Sequence, residues 1–182
     1  MRSWAVHPGG PKILEAVEEA LGLSPQDTVA SRGVLGECGN MSSPTVLFLL
    51  KRLIESGALR GDRFLQVGLR GYWPGPETLD WMAAEKMRSY EMTEIVHRGL
   101  EECLTEAFTI ATDECDGVFL SVDIDVCDPG HAPGTGTPEP GGLSARQLLD
   151  AVRRICLELP VAGVDAVEVR PPYDHAYIPA AL

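Results

Sequence analysis

Asp123 and Asp125 are the residues of this chain best placed to do chemistry. They stand one residue apart in "SVDIDVCDPGHAPGTGTPEPGGL", residues 121–143. Along an extended strand, residues two apart point to the same side, so the two carboxylates are expected to project together. Paired anionic oxygens suit a hard or borderline divalent cation such as Mn²⁺ or Mg²⁺. The same spacing also serves to cap a turn or the next helix, and the pair alone does not choose between these uses. The prolines and glycines after Asp128 predict a loop of fixed shape above the carboxylates.

The elements that must position this pair can be read on both sides of it. Residues 117–123 form an apolar run of the kind seen in strands covered on both faces. It delivers the aspartates at its carboxyl end, where parallel α/β sheets place their sites. Ser144 reads as the N-cap of a helix through about Glu158, followed by a buried strand over 161–169. Upstream, 64–69 reads as a strand, 77–87 as a helix, 87–91 as a short strand, and 93–111 as one helix capped by Thr93. Strands alternating with helices predict a three-layer α/β fold on a parallel sheet.

The first third differs. Pro11 opens a helix that ends at Gly22, and Ser24-Pro25 opens a second that runs to about Val34 or Leu35. A third, apolar on most faces, starts at Ser43-Pro44 and is stopped by Gly57. Residues 1–57 therefore read as a helical extension and 58–182 as the α/β body.

With 45% hydrophobic residues over 182 positions the chain can bury an ordinary core. Its net charge of -12 argues against a nucleic-acid partner or an anionic membrane surface, and agrees with a cationic substrate. The five cysteines (38, 103, 115, 127 and 156) include no CxxC pair, and are expected to be buried, reduced thiols of a cytoplasmic protein. No stretch is long and apolar enough to span a bilayer, and "MRSWAVHPGGP" lacks the apolar core of a secretory signal.

Residues 121–144, with "VAGVDAVEVRPPYDHA" downstream and "DRFLQVGLRGYWPGPETLDWMAAEKMRSYEMTEI" upstream, closely resemble the ureohydrolases, the arginase and agmatinase family. The resemblance covers about residues 53–178. It implies part of an arginase-like fold and hydrolysis of a small guanidino compound, such as agmatine, to urea and an amine. It further implies that Asp123 and Asp125 help to hold two manganese ions. Glu168 then matches the acid that pairs with the substrate guanidinium, and Thr135 and Thr137 shape the substrate loop. A homo-oligomer is compatible with this reading.

The family also uses a histidine and an HDAHxD-type segment, whereas no DAH motif occurs here. Of the four histidines, His97 and His175 read as surface residues, and His131 stands where the family requires no ligand; the fourth is His7. Weak or partial manganese occupancy and impaired turnover are therefore expected. Arg170, Tyr177 and Pro179 depart from the family pattern, and the chain ends in "YIPAAL" where the family continues into a long helix.

"WAVHPGGPKIL" and "GNMSSPTVLF" resemble a different family, the type III polyketide synthases of the chalcone synthase kind. There the residues matching His7 and Asn40 work with a nucleophilic cysteine to stabilise an oxyanion. That cysteine has no counterpart here, since Cys38 stands in the wrong context. The expectation is an apparent fusion of two partial enzymes joined near residue 57. It carries the ureohydrolase label, with an inactive fusion or a synthase remnant as the alternatives.

Overall fold

A computed structural model describes residues 4, 6, 8–40, 44–72 and 75–173. The chain divides into two compact units, residues 1–61 and 62–182.

The first unit is helical: α1 (Pro11–Leu21), α2 (Val29–Cys38) and α3 (Pro44–Glu55). Proline at the start of α1 loses no hydrogen bond there, and Gly22 ends the helix in the left-handed region (φ 65°). Ala30 and Val34 of α2 pack on Leu49 and Leu53 of α3. Glu18 is buried, and its carboxylate accepts from Arg32 Nε (2.9 Å) and Nη2 (2.6 Å) and from the Thr28 hydroxyl. The Arg32 guanidinium holds the Glu18 carboxyl below the usual range, with Thr28 adding to the effect. Ser24 does not open the second helix. Its N–H and hydroxyl both donate to Asp27 Oδ2 (2.8 and 2.7 Å), closing a turn that delays α2 to Val29.

The second unit runs β1 (Leu65–Leu69), α4 (Pro76–Ala84), β2 (Arg88–Glu91), α5 (Met92–Arg98), α6 (Leu100–Thr112), β3 (Val118–Asp123), α7 (Ala145–Glu158) and β4 (Val161–Val167). β1 pairs with β2 and β3 with β4, both parallel, with α4 and α7 as the crossovers. Among the described residues these are two separate two-stranded sheets. The main core joins Tyr90 of β2, Ile95 of α5, Cys103 and Leu104 of α6, and Ala151 of α7 to Leu143. A second cluster, Ile124, Cys127, Ala132 and Leu148, lies beneath the loop that follows β3.

Three expectations need correction. The helix expected over 93–111 is two helices, because Gly99 (φ 92°, ψ 140°) leaves the helical region between them. β3 is not covered on both faces: Phe119 is 66% exposed, and Ser121 and Asp123 face outward beside it. Cys103 and Cys127 are buried free thiols as expected, whereas Cys38 and Cys156 are exposed.

Ser144 caps α7 as its sequence predicts. Its hydroxyl accepts from Gln147 N (3.2 Å), and the Gln147 side chain accepts from Ser144 N (2.9 Å), a reciprocal capping box. Ser144→Ala is expected to cost about 1 kcal/mol. Urea unfolding with an unchanged m-value would check it; a midpoint equal to wild type would contradict the cap.

Candidate functional site

β3 and β4 end side by side, with Asp123 paired in register to Val167, so Glu168 follows at the same edge. Asp125 is not on the strand as expected. β3 stops at Asp123, and Asp125 lies in a 3₁₀ turn over Ile124–Val126 whose start is capped by Asp123. Asp123 Oδ1 accepts the Asp125 N–H at 2.9 Å, which bends the chain and brings the second carboxylate round by a turn rather than by strand alternation. Desolvation raises the Asp123 carboxyl above its ordinary range, helped by the charges of Asp125 and Glu168 and opposed by the Asp125 N–H and by Arg70. Glu168 occupies the left-handed region (φ 63°), a conformation that costs a side-chain-bearing residue about 1 kcal/mol.

The polar groups of Asp125 are nearly all committed. Its N–H goes to Asp123, its carbonyl accepts from Arg70 Nη2 at 2.7 Å, and Oδ2 accepts from the Thr137 hydroxyl. Oδ1 is buried with no hydrogen-bond partner among the described residues. The hydroxyl of Thr135, itself buried, is likewise unpartnered in the same loop. A bare, buried carboxylate oxygen is costly unless a cation or donor meets it.

The loop that carries these groups is closed at its base. Leu143 N donates to Val126 O and Asp128 N to Leu143 O, each at 2.9 Å. Asp128 accepts from Gly130 N and Gly141 N, both at 2.8 Å, and these two bonds hold its carboxyl below the usual range. Sequence reasoning missed Arg70, which stands as one letter of "FLQVGLRG". Besides Asp125 it donates to the carbonyls of Cys127 (3.0 Å), Glu139 (3.0 Å) and Pro140 (3.2 Å). Arg170 packs its guanidinium against Gly136, and its N–H donates to Gly134 O at 2.8 Å.

His97 and His131 are exposed, as the sequence predicts for His97. In the first unit Asn40 Nδ2 donates to Gly9 O at 3.1 Å. His7, His175, Tyr177 and Pro179 lie outside the described residues. Among the described residues, no three or more His, Cys, Asp and Glu side chains converge as metal ligands would. Asp123 and the bare Oδ1 of Asp125 offer carboxylate oxygens of the kind a divalent ion takes, and no cluster of three or more such ligands forms around them among the described residues. They do not fit a closed two-ion centre.

The second unit is parallel α/β, with two carboxylates and a third acid following adjoining strand ends. The Arginase family model matches residues 39–182, and the chain belongs to that family. The model for the chalcone and stilbene synthase C-terminal domain matches residues 2–69, so the two ranges overlap over 39–69. A guanidinobutyrase of Pseudomonas aeruginosa is 40% identical over 126 residues, covering 68% of this chain and 38% of the relative. The mitochondrial agmatinase of Gallus gallus is 36% identical over 170 residues, covering 89% and 47%. The crystal structure of formimidoylglutamase from Bacillus subtilis superposes with a TM-score of 0.71 at 31% identity, covering 79% of this chain and 44% of that one. The chain therefore spans less than half the length of these relatives.

Proposed function

We propose that the second unit carries part of a manganese-dependent amidinohydrolase centre acting on a small guanidino compound, with turnover weakened by missing ligands. The observation that carries this reading is Asp125 Oδ1, buried and unpartnered beside Asp123 at the edge shared with Glu168. Names such as guanidinobutyrase and agmatinase among the relatives support the substrate class. On this reading the synthase-like segment joins near residue 57, and the overlap of the two family matches over 39–69 supports a join in that stretch.

In this scheme Asp123 and Asp125 would hold the ion, which when bound would supply Lewis acidity for hydrolysis at the guanidinium carbon. Thr137 occupies Asp125 Oδ2, so Oδ1 is the oxygen that would be available to it. The Glu168 carboxylate pairs with the N–H fork of the guanidinium, a match of two planar groups. The sequence holds no DAH motif, and no cluster of three or more ligands forms among the described residues, so on this reading affinity is low and urea release slow. A second reading, binding without turnover, is favoured by the absence of any DAH motif in the sequence.

Mn²⁺ titration followed by electron paramagnetic resonance, together with urea release from agmatine and 4-guanidinobutyrate, tests the scheme. Asp125→Asn is expected to weaken Mn²⁺ binding by about tenfold or more, and Asp123→Ala or Asp125→Ala to abolish any urea release. A wild-type chain that binds no Mn²⁺ and forms no urea sinks the proposal; binding without urea selects the second reading.

A further inference from the structure

We infer that Arg70 is the positioning residue of this site: it fixes the main chain so that Asp125 presents one bare carboxylate oxygen. The inference deepens the proposed divalent-ion reading and rests on it for its affinity readout.

The guanidinium has five N–H donors in a fixed fork and no acceptor, so it suits several carbonyls at once. Arg70 uses it in that way. Nη2 reaches the Asp125 and Cys127 carbonyls on the chain entering the loop, and Nε reaches those of Glu139 and Pro140 on the chain leaving it. Nη1 adds longer contacts, 3.4 Å each, to Gly68 O and Val126 O. One side chain thus joins segments 55 and 69 residues away from its own position.

Gly68 makes this approach possible. It adopts φ 95° at the irregularity in β1, and a Cβ there would stand 2.4 Å from Val126 Cγ2. Only the missing side chain lets β1 run beneath the 3₁₀ turn and deliver Arg70 under the loop. With the Asp125 carbonyl held by Arg70 and its N–H by Asp123, the residue cannot rotate freely about its backbone. Thr137 then takes Oδ2, and Oδ1 is left as the polar atom of Asp125 without a partner among the described residues. Lysine would keep the charge but could not span four carbonyls from one point.

The test uses the full chain with Arg70→Lys and Arg70→Met. Amide hydrogen exchange of Asp128 and Leu143, whose N–H groups close the loop, is measured alongside exchange in α7 and Mn²⁺ affinity. Both variants are expected to lose loop protection and Mn²⁺ affinity by about tenfold each, while α7 protection stays at the wild-type level. Wild-type loop protection and affinity in Arg70→Met, or full rescue by Arg70→Lys, overturns the inference. Loss of α7 protection in both variants overturns it too, because Arg70 would then support the whole unit rather than the loop. Should the wild-type chain bind no Mn²⁺, the divalent-ion reading fails by itself and loop exchange still decides the role of Arg70.

Discussion

Gly142→Ala is expected to lower the thermal midpoint of the second unit by about 10 °C. A Cβ at position 142 would lie 2.5 Å from Val126 O, 2.6 Å from Asp128 N and 2.6 Å from Cys127 C. All three are backbone atoms, so no side chain can swing away to relieve the overlap. The chain must instead separate where Leu143 N meets Val126 O and Asp128 N meets Leu143 O. Two hydrogen bonds at about 1 kcal/mol each, with about 1–3 kcal/mol of overpacking, give a cost near 3 kcal/mol or more. Leu143 and Cys127 would also shift out of the two apolar clusters they help to fill. Gly36→Ala is the contrast, since that glycine lies within α2 with nothing near its Cβ position. There the same methyl is expected to stabilise by a few tenths to about 1 kcal/mol. Thermal melts of both variants check the pair, and an unchanged second-unit midpoint for Gly142→Ala would falsify the close-packed loop base.

Local signals were legible wherever one residue's chemistry settles one element. Ser144 and Gln147 announce the start of α7 from their spacing, and Gly22 and Gly57 mark helix ends that the backbone adopts with positive φ. Gly99 carried such a signal too. It was absorbed into a helical pattern because a lone glycine costs a helix only about 1 kcal/mol, and the break appears only when φ is known. The turn at Ser24 shows the same ambiguity, since serine before proline serves a helix start and a side-chain-closed turn equally well.

The site was legible as a set of residue types and much less so as geometry. Asp123 ends β3 and Glu168 follows the paired end of β4, while Asp125 is reached through a 3₁₀ turn capped by Asp123, and among the described residues the three do not converge as metal ligands would. Alternation along a strand would have produced a similar pattern of letters. Arg70 was illegible because its partners are carbonyls, which every residue carries and no sequence motif displays. Phe119 misled for a related reason. An apolar run predicts covering layers on both sides, and the described residues supply them on one.

Tyr90→Phe is expected to be less stable than wild type at pH 7 and more stable above about pH 11, with the two curves crossing between. Tyr90 is fully buried, its hydroxyl donates to Glu106 Oε1 at 3.0 Å, and the Arg88 guanidinium lies 3.9 Å from the ring centre. Loss of the hydroxyl removes that bond at a cost of about 1 kcal/mol, and Glu106 keeps Arg98 as a partner at 2.6 Å. Burial and the adjoining Glu106 carboxylate push the phenol up to about 12 from its ordinary 10.0. The folded state therefore holds the proton more tightly than the unfolded chain does. The stability this provides is whole below pH 10 and declines as pH rises toward about 12, by about 2–3 kcal/mol across the window. Phenylalanine has no proton to lose, so the variant escapes that decline while every other titrating group is shared by both proteins. Urea unfolding of the pair at intervals from pH 8 to pH 11.5 isolates the difference. Parallel stability curves across that range would show that Tyr90 ionises no later in the folded protein than in the unfolded chain. A crossing would place a buried neutral phenol, held by Glu106, at the centre of the core that joins β2 to α6.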